Sequence, residues 1–120
     1  MGASLQSKEA YEIEQHISSC LFEDARVISC TLVGSANKLL VGRRFSSLFI
    51  DEAAQALEPA CWVAIRRCHR IIFAGDHQQL PPTIKCYEAM KDGLGKTLME
   101  RIVENVPSSV TLLRVQNRMN

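Results

Sequence analysis

The feature that most constrains this chain is a series of short apolar runs, rich in β-branched and aromatic residues, set between helix-periodic segments. The runs are VISCT (27–31), SLFID (47–51), RIIFA (70–74) and a stretch over 110–115. Before the first, Ala10, Ile13, Ile17, Cys20 and Leu21 recur at helical spacing opposite Lys8, Glu9, Glu12, Glu14 and Glu23, which predicts an amphipathic helix over 8–23. Glu58-Pro59 opens a second helix, because proline fits the first turn, where a backbone N–H has no intrahelical partner. On it, Cys61, Ala64, Ile65 and Cys68 share one face. A further helix is predicted over 97–106. Strands alternating with helices in this way predict an α/β fold whose sheet is largely parallel and covered on both faces. Ligands bind such sheets beyond the carboxyl ends of the strands. Three of the four runs end in polar chemistry: Thr31, the pair Asp51 and Glu52, and Asp76.

Composition narrows the function classes. A chain of 120 residues holds one small domain or a piece of a larger one, and 47% hydrophobic residues provide material for a core. The formal net charge of +1 excludes a polybasic tail or membrane patch, so any nucleic acid would have to be held in a local groove. No apolar run approaches the roughly 20 residues of a membrane span. Cysteines at 20, 30, 61, 68 and 86, without a signal sequence over 1–7, predict an intracellular segment with reduced, mostly buried thiols. Cys61, Cys68 and His69 lack the close ligand pairs of a zinc site, and Gln6 stands where a myristoylation signal needs Ser or Thr.

Two segments carry the chemistry. FIDEAAQ (49–55) is an apolar strand that delivers Asp-Glu at its carboxyl end, the Walker B arrangement. There the Asp holds Mg2+, usually through water, while the next Glu orients or deprotonates the attacking water. The competing reading is a strand end with two solvated acids. IIFAGDHQQLPP (71–82) ends a second strand in Gly75-Asp76, with Gln79 in a loop stiffened by two prolines. A neutral amide near a γ-phosphate can register its presence without adding charge. The competing reading is an ordinary turn made by Asp76.

Together DEAAQALEP, AGDHQQLPP and the terminal QNRMN resemble motifs II, III and the start of IV of superfamily 1 helicases, nearest the up-frameshift and senataxin-like branch. The resemblance covers about residues 25–120. It implies a RecA-like P-loop NTPase fold, a three-layer sandwich around a mainly parallel sheet, of which residues 1–120 form the C-terminal part of the first motor domain. It further implies Asp51 as the Mg2+-holding acid, Glu52 as the catalytic acid that activates water, and Gln79 as the γ-phosphate sensor. Arg118 matches the motif IV arginine that stabilises the transferring phosphoryl group, Asp76 belongs to the ATP-binding set, and Thr31 is a candidate nucleic-acid contact. The implied cofactors are ATP and Mg2+. The implied partners are single-stranded DNA or RNA and the rest of a helicase chain, including its second RecA-like domain, in the cytoplasm or nucleus. Asn117 departs from the pattern, which usually carries an aromatic residue there.

GLGKT (93–97) mimics a phosphate loop but lacks the upstream glycine of the Walker A pattern, Met90 standing in its place, and no apolar strand feeds it. Thr97 and Glu100 read instead as a capping box ahead of Leu98, Ile102, Val103 and Val106. The expectation is therefore a motor domain incomplete at its phosphate-loop edge, prone to self-association and a poor ATPase by itself. The alternative is a degenerate, non-catalytic RecA-like module that binds nucleic acid or protein.

Overall fold

Parallel pairing of two of the apolar runs organises the larger of two units, Met1–Arg43 and Arg44–Asn120, into which the chain divides. The structure, a computed structural model, describes residues 2–115, with side chains from Lys8 onward.

In the second unit, β1 (Phe45–Ile50) and β2 (Cys68–Phe73) run parallel, with Phe45 opposite Cys68, Phe49 opposite Ile72 and Ile50 opposite Phe73. A tight turn cannot join parallel strands, so a crossover is required. Helix α2 (Glu58–Ile65) provides it, with Pro59 in its first turn as expected. This helix buries Cys61, Ala64 and Ile65 and packs on β2, where the Cys68 thiol lies 3.6 Å from the Ala64 carbonyl. Burial pushes the thiols of Cys61 and Cys68 above their ordinary value, and the charge of Glu58 adds to the effect at Cys61. Cys20, Cys30 and Cys86 are exposed, so the expectation of mostly buried thiols fails for those three.

After β2 the chain forms a short helix, α3 (Tyr87–Ala89), a π-type turn over Met90–Leu94 kinked at Gly93, and α4 (Leu98–Asn105). The capping box at the start of α4 is present in full. The Thr97 hydroxyl oxygen accepts the Glu100 backbone N–H at 3.1 Å, and Glu100 Oε2 accepts the Thr97 N–H at 2.7 Å. Thr97 is buried, and the first turn of α4 buries Leu98 while the helix packs on the short turn Ala53–Gln55.

Two expected strands are absent. Neither 27–31 nor 110–115 joins a ladder, and Val27, Leu112, Leu113 and Val115 are exposed. β-branched residues favour a strand only where an edge accepts their backbone groups, and among the described residues the sheet has two strands. Nor is the sheet covered on both faces within those residues. Alternation places Leu48, Ile50, Ile71 and Phe73 on the better buried face, while Phe49 and Ile72 on the other are 73% and 36% exposed.

In the first unit, α1 (Gly2–Asp24) is the predicted helix, longer than its periodic stretch. Its apolar stripe is not core, however, since Ile13, Ile17 and Leu21 are exposed. Lys38 reaches the Tyr11 hydroxyl, the Arg43 guanidinium donates to the Phe22 carbonyl, and Leu40 is buried. No described helix is long and apolar enough to cross a membrane.

Loss of the capping hydroxyl provides a test of what holds α4. Thr97→Ala is expected to lower the unfolding free energy by about 1 kcal/mol, read as a lower denaturant midpoint at unchanged slope, with Thr97→Ser retaining most of it. An unchanged midpoint in Thr97→Ala would show that α4 is anchored elsewhere.

Candidate functional site

The two parallel strands end at one edge, and backbone hydrogen bonds continue their pairing beyond the ladder. Ala74 donates its N–H to the Ile50 carbonyl at 2.8 Å, and Ala53 donates to the Ala74 carbonyl at 2.9 Å. These bonds set Asp51-Glu52 beside Gly75-Asp76.

Glu52 occupies the left-handed region at φ 51° and ψ 38°, alone among the described non-glycine residues in having a positive φ. Such a conformation costs about 1–3 kcal/mol and persists where the surroundings over-determine it. Here they do: Ala53 and Ala54, at 1% and 5% exposure, are locked in the core immediately after it. Asp51 Oδ1 accepts the Glu52 N–H at 3.0 Å, and the Gln55 amide donates to Glu52 Oε2 at 3.3 Å. Both acids are exposed, and the turn holds them at the strand end instead of folding them against the protein.

Gly75 makes the close approach of the two strand ends possible. A Cβ there would stand 3.0 Å from the Ala53 nitrogen, 3.2 Å from the Ala54 nitrogen and 3.4 Å from Met99 Sδ. Backbone at that distance cannot yield as a flexible side chain would. The next residue, Asp76, folds the loop back on itself. Its Oδ1 accepts the Gln78 N–H at 2.9 Å, its Oδ2 accepts the Gln79 side-chain amide at 3.0 Å, and its carbonyl accepts the Gln79 N–H at 3.2 Å. The Gln78 N–H, then the Gln79 amide and more weakly His77, hold the Asp76 carboxyl below its ordinary value.

The structure thus brings Asp51, Glu52, Asp76 and Gln79 to one edge, with Asp76 orienting Gln79. Thr31 lies in the first unit, on a turn instead of a strand end, where its hydroxyl oxygen accepts the Gly34 N–H at 3.0 Å. Arg118 lies outside the described residues. GLGKT is a helix start as expected: Lys96 pairs with Glu104 on α4, and the preceding segment is helical, not a strand. An open groove of about 460 Å³ beside it is lined by His77, Gly95, Lys96, Glu100, Val103 and Glu104. Lys96, Glu100 and Glu104 already satisfy one another or the capping box, so the groove has little unspent charge for a ligand.

Sequence reading alone passed over Glu58, the first residue of α2. Its Oε1 accepts the Trp62 indole N–H at 3.1 Å, and both its oxygens lie 2.9 Å from Arg101 on α4. A Glu before Pro at a helix start signals only a favourable dipole contact, and nothing in the sequence pairs it with a residue 43 positions on.

Comparison with known proteins bears on the same segments. The profile of the family described as AAA domain matches residues 3–86. An ATP-dependent helicase of Methanocaldococcus jannaschii is 38% identical over 109 residues, which cover 91% of this chain and 16% of that protein. The DNA-binding protein SMUBP-2 of Mesocricetus auratus is 38% identical over 121 residues, covering 97% and 12%. A regulator of nonsense transcripts 1 homolog of Neurospora crassa is 32% identical over 119 residues, covering 98% and 11%. The chain spans between 11% and 16% of the length of these relatives.

The Asp76 turn generates a pH prediction. Its carboxyl is lowered by the bonds it accepts, so their contribution is complete above the ordinary aspartate range and is lost as pH falls through the lowered value. In an NMR titration the Asp76 carboxyl should turn over below an ordinary aspartate, and Gln79→Ala should move it part of the way back. An ordinary midpoint, insensitive to Gln79→Ala, would show that Asp76 does not hold the glutamine.

Proposed function

This chain belongs to the AAA-domain family, and from that premise we propose that it is part of a superfamily 1 helicase motor whose strand-end acids hydrolyse ATP to drive movement along single-stranded nucleic acid. The observation that carries this reading is the Ala53–Ala74 hydrogen bond, which puts Asp51 and Glu52 at the edge where Gln79 is held by Asp76.

Each residue has a distinct part. Mg2+ takes one or two carboxylates and otherwise keeps waters and phosphate oxygens. An exposed Asp51 at a strand end fits that demand. When bound, Mg-ATP supplies an electrophilic γ-phosphorus and neutralises the charge on its oxygens. Glu52, turned outward by its left-handed backbone and steadied by Gln55, orients the attacking water and takes its proton. Gln79, its amide nitrogen engaged by Asp76, registers the γ-phosphate without adding charge. Arg118 adds positive charge that stabilises the transition state.

Thr31 contributes a hydroxyl to a nucleic-acid phosphate, its own oxygen steadied by Gly34. Relatives named for DNA binding and for nonsense transcripts match over nearly the whole chain, which supports a grip on single strands through phosphate and stacking that is common to DNA and RNA. The proposed activity places the protein with nucleic acid in the cytoplasm or the nucleus.

Glu52→Gln in the helicase that contains this segment tests the proposal. ATP binding should be retained while turnover falls by about 100-fold or more, the scale of general-base loss, measured by nucleotide titration and phosphate release. Turnover within a few-fold of the parent would remove Glu52 from the chemistry and leave a non-catalytic module that binds nucleic acid or protein.

A further inference from the structure

We infer that Glu58 is a positioning residue for ATP hydrolysis: its bonds to Arg101 fix the loop that carries Asp51 and Glu52 against α4, and so set where the Glu52 carboxylate stands. The inference rests on the function proposed above and deepens it.

The loop between β1 and α2 has two ends. At the strand end it is held by the Ala53 N–H on the Ala74 carbonyl. At the helix end stands Glu58, with both carboxylate oxygens 2.9 Å from one nitrogen of Arg101 and Oε1 also accepting from Trp62. Arg101 belongs to α4, the helix that packs on Ala53–Gln55. Met99, on the same helix, stands 3.4 Å from where a Gly75 Cβ would be. One helix therefore reaches the loop, the turn after β2 and the start of α2, and Glu58 is the charged group that sets its register.

The partial burial of Glu58 supports this role over that of an incidental surface pair. Its side chain is 20% exposed against 54% for Arg101, and the Trp62 indole N–H, then the Arg101 guanidinium, hold its carboxyl below the ordinary value against the effect of burial. Exposed ion pairs add little stability. A pair that joins two helices across the active loop can act instead through geometry, because Glu52 is kept in a strained conformation only while its neighbours are fixed. A small misplacement of a water-activating group lowers the rate of chemistry more than it lowers binding.

The test uses the nucleic-acid-stimulated ATPase of the full-length helicase. Glu58→Ala should reduce kcat by about 10-fold or more, on the scale that misplacement of reacting groups produces, with ATP affinity within about two-fold. Arg101→Ala should match it, and the double variant should be no worse than either single one. The decisive readout is the Glu52→Gln background, where Glu58→Ala should cause no further loss, since the group it positions is gone. An unchanged kcat in Glu58→Ala, or the same fold-loss with and without the Glu52 carboxylate, would overturn the inference. Should Glu58→Ala not fold, Glu58→Gln carries the same two measurements, because it retains an acceptor for Trp62 and loses the charge that holds Arg101. Failure of the underlying function is recognised separately, as retained turnover in Glu52→Gln itself.

Discussion

The Ala53 N–H bonded to the Ala74 carbonyl is the interaction on which the rest of this site depends. Parallel strands bring like ends together, but pairing normally stops where the strands do. Here it continues for one more step, which brings the backbone after Glu52 against the backbone before Gly75. Both local oddities of the site follow from that closeness. Glu52 must turn through the left-handed region for the chain to reach Ala53, and position 75 must lack a Cβ for the second strand to pass. Asp51 and Glu52 are thus presented outward by backbone geometry, without a cage of side chains around them.

The strained turn is stable because α4 covers it. The covering depends on where α4 begins, and the reciprocal Thr97–Glu100 capping box defines that point by satisfying backbone donors that would otherwise be orphaned beneath the helix. The small side chains of Ala53 and Ala54 let α4 approach closely enough to bury them almost completely. Glu58 and Arg101 then tie the same helix to the start of α2. The loop after β1 is held by backbone bonds on one side and by a packed helix on the other, which keeps Asp51 and Glu52 exposed yet ordered.

The two unformed strands show what a local pattern can and cannot establish. VISCT and the stretch over 110–115 have the composition of buried strands, yet composition states only that a segment fits a pleated, half-buried surface. SLFID and RIIFA form strands because each has the other as neighbour, joined by a crossover helix of suitable length. The open face bearing Phe49 and Ile72 reflects the same limit, since an alternating pattern assigns side chains to faces without specifying what covers them.

The sequence alone determined the elements whose cause is local: Pro59 in the first turn of α2, the Thr97–Glu100 capping box, and the Asp-Glu pair and Asp76 at the carboxyl ends of two apolar runs. Each follows from interactions among residues a few positions apart, which spacing encodes directly. The tertiary structure decided the rest: that the two strand ends share an edge, that Glu52 adopts a left-handed backbone, that Asp76 holds Gln79, and that Glu58 meets Arg101. The first and last of these join residues distant in sequence. The other two depend on which of several local options the surrounding packing enforces, because the free-energy differences among those options are smaller than the packing terms that select them.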